Sequence, residues 1–338
     1  RKERSIMINK NIFKSARHTS SYLSSGPVDG PLVMFFHGWP ELSYSWRHQL
    51  KYFGEKGFHV IAPDMRGYGD STVHKNKADY SQREIVKDMV ELFQSFNKDN
   101  VIIIGHDWGS ETAWSMARHY PGLVKAVASL CVPYAMLELD VSESSLEKLI
   151  NRNTYPKDLY PYGQWDYQVF YMKDFDKACA DMDSDPYKMI KFVFRSGDPN
   201  TAGMPYPTSI ITKNNGWLPE GGELPDIPID NKILNEEDAR KYAGYLEKNG
   251  FFGPNSWYVN HQDNRAFAEE ADSIIDMPSL FIHATYDYVC DTTSTGAADK
   301  MREKCKNLTE KRIDSGHWMA QEKPEELNLI LENWLKEV

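Results

Sequence analysis

Residues 102–110, IIIGHDWGS, constrain the fold more than any other part of the chain. The apolar run VIII (101–104) suits a strand buried on both faces, and the helix-compatible ETAWSMARHY follows the turn at once. Between them Gly105 and Gly109 flank Asp107 in the spacing small-x-nucleophile-x-small. Such a turn is sharp and packs its two limbs closely, so it needs residues without a Cβ on either side. It lifts one side chain above the sheet at a helix N-terminus. Asp at such a junction also serves as an ordinary N-cap, contributing about 1 kcal/mol, but the paired glycines favour a nucleophile elbow. A carboxylate there is suited to displacement at saturated carbon, making an alkyl ester on the protein, whereas Ser or Cys is suited to acyl transfer.

The rest of the chain supplies a setting for that turn. LVMFF (32–36) and HVIAP (59–63) are further apolar runs of strand length. Ser81 with Glu84 three residues on reads as a capping box opening the helical REIVKDMVELFQSF. Strand, turn, helix and strand make the βαβ pattern of an open α/β fold with a mostly parallel sheet flanked by helices. AVASLCVP (126–133) predicts another buried strand, after which the alternation stops. From 134 to 264 the text becomes helical stretches and irregular loops rich in Tyr, Trp, Pro and Gly. SLFIHATYD (279–287) restores a strand, and PEELNLILENWLKEV closes with an amphipathic helix from Pro324. The expected organisation is a core of residues 1–133 and 265–338 interrupted by a mainly helical lid at 134–264. With 338 residues, 41% of them hydrophobic, the chain can bury a core of that size.

Three other segments complete a constellation around Asp107. FFHGWP (35–40) follows the first buried strand, where the loop of such a fold supplies one backbone amide of an oxyanion hole. The residue after the nucleophile supplies the other, so Trp39 and Trp108 are the expected donors. His37 itself reads as a core histidine. Gly316-His317 lies just before the C-terminal helix, and the order nucleophile, acid, histidine makes His317 the base. His106, beside Asp107, reads as a packing residue turned away from the site. The acid is expected at Asp287, directly off the late strand, with Asp291 as its competitor.

A net charge of -10 repels nucleic-acid backbones and anionic lipid surfaces, and the apolar runs are far shorter than the roughly 18 residues of a membrane span. Cys131, Cys179, Cys290 and Cys305 lack the pairing of a metal cage or disulfide scaffold. A cytoplasmic location fits reduced thiols, although the first residue is Arg rather than Met, which leaves targeting open.

With HGWP, GHDWGS, Asp287 after its strand and SGHWMAQEKPEE in this order, the chain resembles the soluble epoxide hydrolases of the α/β-hydrolase superfamily over nearly its whole length. HGWP begins at His37, so the resemblance implies a chain without the N-terminal phosphatase domain of bifunctional members. The segments WDYQVFY (165–171) and GFFGPNSWYVNHQDN (250–264) resemble those carrying the family's two acid tyrosines, which implies Tyr167 and Tyr258 in that role. The implied reaction takes a small apolar epoxide and water to a diol through an ester on Asp107, and it implies no metal or other cofactor. A binding surface built from Phe36, Trp39, Trp108, Met136, Trp165, Val289, Trp318 and Met319 is expected. A haloalkane dehalogenase of the same fold is the nearest alternative, since Trp108 or Trp165 could offer an indole to a leaving halide. A non-catalytic receptor for hydrophobic ligands is the alternative from another class. Oligomeric state has no sequence signal here.

Overall fold

The computed structural model describes residues 6–138, 140–218 and 222–338. Its frame is one eight-stranded sheet: β1 (Asn9–Lys14), β2 (Thr19–Ser25), β3 (Leu32–Phe36), β4 (His59–Pro63), β5 (Val101–His106), β6 (Val124–Leu130), β7 (Ser279–Ala284) and β8 (Leu308–Ile313). The spatial order is β1-β2-β4-β3-β5-β6-β7-β8. β1 and β2 pair antiparallel, as do β2 and β4, and the neighbours from β4 through to β8 are parallel.

The apolar runs become the central strands because a parallel sheet covered on both faces has no solvent side to alternate with. All residues of β3, β4, β5 and β7 are buried. The strands without a sequence signal are the polar ones: β2 (TSSYLSS), paired with β1 and β4, and the two at the edges. β1 (NKNIFK) and β8 (LTEKRI) are largely exposed, and each is held by a single neighbour.

Helices α1 (Arg47–Glu55), α2 (Gln82–Gln94) and α3 (Trp108–His119) join the first parallel strands, and Pro324–Leu335 closes the chain from the expected proline. α2 begins after Ser81, but the capping box does not form. The Ser81 side chain makes no cap hydrogen bond, and Glu84 pairs with Arg17 at 2.6 Å. An ion pair with a neighbouring element has taken the carboxylate that a cap needed.

Between β6 and β7 the chain leaves the sheet for a series of short helices, including Asp166–Lys173, Phe175–Asp183, Pro186–Val193 and Glu236–Asn249. The helix His261–Glu269 runs through residue 264, and Asn264 accepts a hydrogen bond from the Gln82 amide at the start of α2 (2.8 Å). The expected junction at 264 therefore falls inside an element that is tied to the sheet-flanking layer. Among the described residues, no helix is long and apolar enough to cross a membrane.

Candidate active site

The site lies at the carboxyl ends of β3, β5, β7 and β8, where loops of a parallel sheet open onto a crevice. Asp107 has φ 56° and ψ −127°, a left-handed backbone that costs a non-glycine residue on the order of 1–3 kcal/mol and persists because its surroundings over-determine it. A Cβ on Gly105 would stand 2.3 Å from the Gly109 carbonyl oxygen, and one on Gly109 would stand 2.1 Å from that of Phe36. Both glycines are dictated by the close approach of β5, α3 and the end of β3.

The carboxylate so raised has two neighbours. Trp39 donates its backbone N–H to Oδ1 at 2.8 Å, and Nε2 of His317 lies 3.2 Å from Oδ2. On the far side of the imidazole, Nδ1 is 2.5 Å from Oδ2 of Asp287, while Oδ1 of Asp287 accepts the amides of Val289 (3.1 Å) and Cys290 (2.9 Å). Asp291 instead caps its own loop, accepting from the amides of Thr293 and Ser294. Burial works to raise the Asp107 pKa, but the hydrogen bond and charge of His317 outweigh it and hold the carboxyl below its ordinary range. Burial likewise disfavours the His317 cation, yet Asp287 and Asp107 together push its pKa well above the usual imidazole value.

His106 lies outside the cavity, as expected, but it does more than pack. Its Nδ1 is 2.7 Å from Glu41 and its Nε2 2.7 Å from the His317 carbonyl oxygen, and Glu41 also accepts the Gly38 amide at 3.0 Å. Burial opposes the charge, but Glu41 raises the His106 pKa to about 10. This buried ion pair joins the HGWP loop to the histidine loop. The sequence reading of His106 as a packing residue does not reach this pairing, and Glu41 carries no role in it; a histidine that ends a fully buried strand is a signal that it needs a partner. His37 is a core histidine, its Nε2 accepting the Met65 amide at 2.9 Å.

A cavity of about 420 Å³ opens above Asp107 and is lined by Asp107, His317, Tyr167 and Tyr258 together. The tyrosines come from Asp166–Lys173 and from the turn Trp257–Val259, and their ring centroids are 5.8 Å apart. Burial pushes both phenol pKa values up, and the nearby Asp107 charge adds to this. Both therefore stay protonated across the neutral range.

Of the residues expected to bind substrate, Trp39, Val289 and Trp318 line the cavity. Phe36, Trp108, Met136, Trp165 and Met319 do not; they are buried in the hydrophobic core. The Trp165 indole is spent on the Leu149 carbonyl at 3.2 Å. Much of the wall comes from residues 192–208, with Trp217, Tyr286 and Cys290, and it includes Arg195, Ser196, Asp198 and Asp230. The lining therefore mixes charged and polar side chains with aromatic and aliphatic ones such as Trp39, Phe192, Val193 and Trp217. Among the described residues, Trp39 alone donates a backbone hydrogen bond to the resting Asp107 side chain.

Among the described residues, two groups, His106–Cys131–His317 and Asp287–Cys290–His317, bring potential metal-ligating atoms within 4.8 Å of one another. Both share His317, whose two ring nitrogens already face Asp107 and Asp287.

This sheet, elbow and histidine–carboxylate pair define an α/β hydrolase, and residues 31–168 match the family model for the alpha/beta hydrolase fold. The chain is 31% identical over 322 residues to epoxide hydrolase A of Mycobacterium tuberculosis, covering 93% of this chain and 92% of that protein. It is 32% identical over 309 residues to the bifunctional epoxide hydrolase 2 of Sus scrofa, covering 91% of this chain and 52% of that protein, so it spans about half the length of that relative. Among solved structures, it superposes on epoxide hydrolase A of Mycobacterium thermoresistibile with a TM-score of 0.78, 28% identity and 98% coverage of each chain. An epoxide hydrolase from an endophytic Streptomyces gives 0.79 at 26% identity, covering 97% of this chain and 95% of that one. The chain belongs to the epoxide hydrolase family.

Proposed function

We propose that this chain hydrolyses epoxides to vicinal diols through a covalent ester on Asp107, with residues 134–264 contributing a lid over the sheet. The observation that carries the reading is that an ionised carboxylate, an imidazole and two protonated phenols line one cavity. In the first step an Asp107 oxygen bonds to a ring carbon, and the carbon–oxygen bond of the oxirane breaks with its electron pair going to the ring oxygen. Tyr167 and Tyr258 hydrogen-bond that oxygen, and one gives it a proton, which it later recovers from solvent.

Ester formation removes the negative charge of Asp107, one of the causes that hold the His317 pKa high. The imidazolium then releases its Nε2 proton to solvent and becomes able to act as a base, oriented by Asp287. It takes a proton from water, whose oxygen adds to the ester carbonyl carbon. The resulting oxyanion is stabilised by the Trp39 amide, with Trp108 next in chain as the second proposed donor. Collapse expels the diol oxygen, which takes the proton from His317, and leaves Asp107 as a carboxylic acid whose remaining proton passes to the His317 imidazole, restoring the starting carboxylate and imidazolium. A leaving halide has less to use here, because the Trp165 indole is occupied and Trp108 does not line the cavity.

A single turnover in heavy-oxygen water tests the scheme. The label is expected in Asp107 and absent from the first diol, and His317→Gln is expected to accumulate an adduct with the mass of the epoxide. Labelled diol in the first turnover with no adduct in that variant would remove the covalent route.

A further inference from the structure

Gln168 follows Tyr167 on the helix Asp166–Lys173 and is 4% exposed. A buried primary amide is costly unless its polar atoms are used. Its Nε2 donates to the Tyr167 hydroxyl oxygen at 3.1 Å. A phenol oxygen has one proton and two lone pairs. An N–H donor occupies a lone pair and cannot accept the phenol's proton, so the O–H is left for another acceptor. Tyr167 lines the cavity above Asp107, and that acceptor is then the substrate. Tyr258 differs: among the described residues it has no corresponding side-chain donor, and it is held through its ring, edge-on to Trp39 at 6.0 Å and Trp108 at 5.2 Å.

We propose that Gln168 is a positioning residue that turns the Tyr167 proton toward the oxirane oxygen and makes Tyr167, rather than Tyr258, the principal acid of ring opening. The inference rests on the epoxide-opening role proposed above for the two phenols. As the proton leaves, negative charge gathers on the Tyr167 oxygen, and a hydrogen bond to a charged acceptor is about twice as strong as one to a neutral acceptor. The Gln168 contact thus strengthens on the way to the transition state and lowers the barrier. Burial raises the Tyr167 pKa, and the Gln168 hydrogen bond acts against that rise.

The test is rapid-mixing kinetics with an aryl epoxide, resolving ester formation from ester hydrolysis. Gln168→Leu is expected to slow ester formation about tenfold, the equivalent of one strengthened hydrogen bond, and to leave ester hydrolysis unchanged. In a Tyr167→Phe background the same substitution is expected to cost nothing further. Gln168→Glu places an acceptor against the phenol when ionised and a donor when protonated. Its ester formation is expected to be slow at neutral pH and to recover as pH falls, a profile that packing alone would not produce. Gln168→Met, of similar volume, replaces the Leu variant if that one does not fold. An equal loss with Tyr167→Phe present, an equal slowing of both steps, or a Glu variant with the unaltered pH profile would overturn the proposal. Failure of the underlying reading looks different: the unaltered protein would form no ester at all.

Discussion

Asp287 divides its oxygens between two tasks, one accepting the amides of Val289 and Cys290 and the other facing Nδ1 of His317. The first task fixes the carboxylate, and the second fixes the imidazole with Nε2 toward Asp107. Asp287→Asn keeps the shape but loses the charge, and the amide can turn its NH₂ toward Nδ1 and favour the wrong tautomer. It is expected to slow ester hydrolysis a hundredfold or more, roughly the worth of a general base, with a smaller effect on ester formation. Asp291→Asn is expected to change neither, since that side chain only caps its loop. Rapid-quench measurement of both steps decides between them, and the hydrolysis defect appearing in Asp291→Asn instead would reverse the assignment.

The segment after the helix Pro186–Val193 is stitched to the histidine loop by backbone contacts. One oxygen of Glu322 accepts the amides of Gly197 at 2.8 Å and Gly316 at 3.0 Å, and the Trp318 indole donates to the Val193 carbonyl at 3.0 Å. The two glycines approach so closely that a Cβ on Gly197 would be 2.4 Å from the Gly316 nitrogen. Glu322→Ala leaves two amides from separate elements without their acceptor and is expected to cost about 2 kcal/mol of unfolding free energy, read as a lower denaturant midpoint. Glu322→Gln keeps an acceptor oxygen and should lose much less. Within the core, Gly109→Ala is expected to prevent folding or abolish activity. Its Cβ would meet the backbone at the end of β3, which cannot move without disturbing the sheet.

Across the molecule, the His106–Glu41 pair ties the loop after β3 to the loop after β8, and its ionisation gives stability a pH signature. His106 titrates at about 10 when folded against an ordinary 6.5, so its contribution is complete below 6.5 and is lost as pH rises toward 10. Glu41, held below its ordinary 4.5, contributes above that value and loses its share only in acid. One interaction underlies both shifts and is counted once. Thermal melts between pH 6 and 10 are expected to show a decline in the unaltered protein that is shallower in the doubly substituted His106→Gln, Glu41→Gln; parallel curves would show that the pair is not charged in the fold. The parts of this architecture legible in the sequence are those set by local chemistry. The central strands appear as apolar runs because both faces are buried, and the glycines beside Asp107 appear because no Cβ fits there. The order of Asp107, Asp287 and His317 follows from which loops leave the carboxyl ends of the strands. The polar edge strands β1 and β8 are silent because pairing with one neighbour imposes no hydrophobic pattern. The cavity wall at residues 192–208 has no periodicity to read, so Phe36, Met136 and Met319 were expected where Arg195, Tyr206 and Trp217 stand. The contacts of Gln168 with Tyr167, Glu41 with His106, and Glu322 with two separate glycines depend on where side chains point and on chain segments far apart in sequence. Those are set only when long-range packing closes the fold.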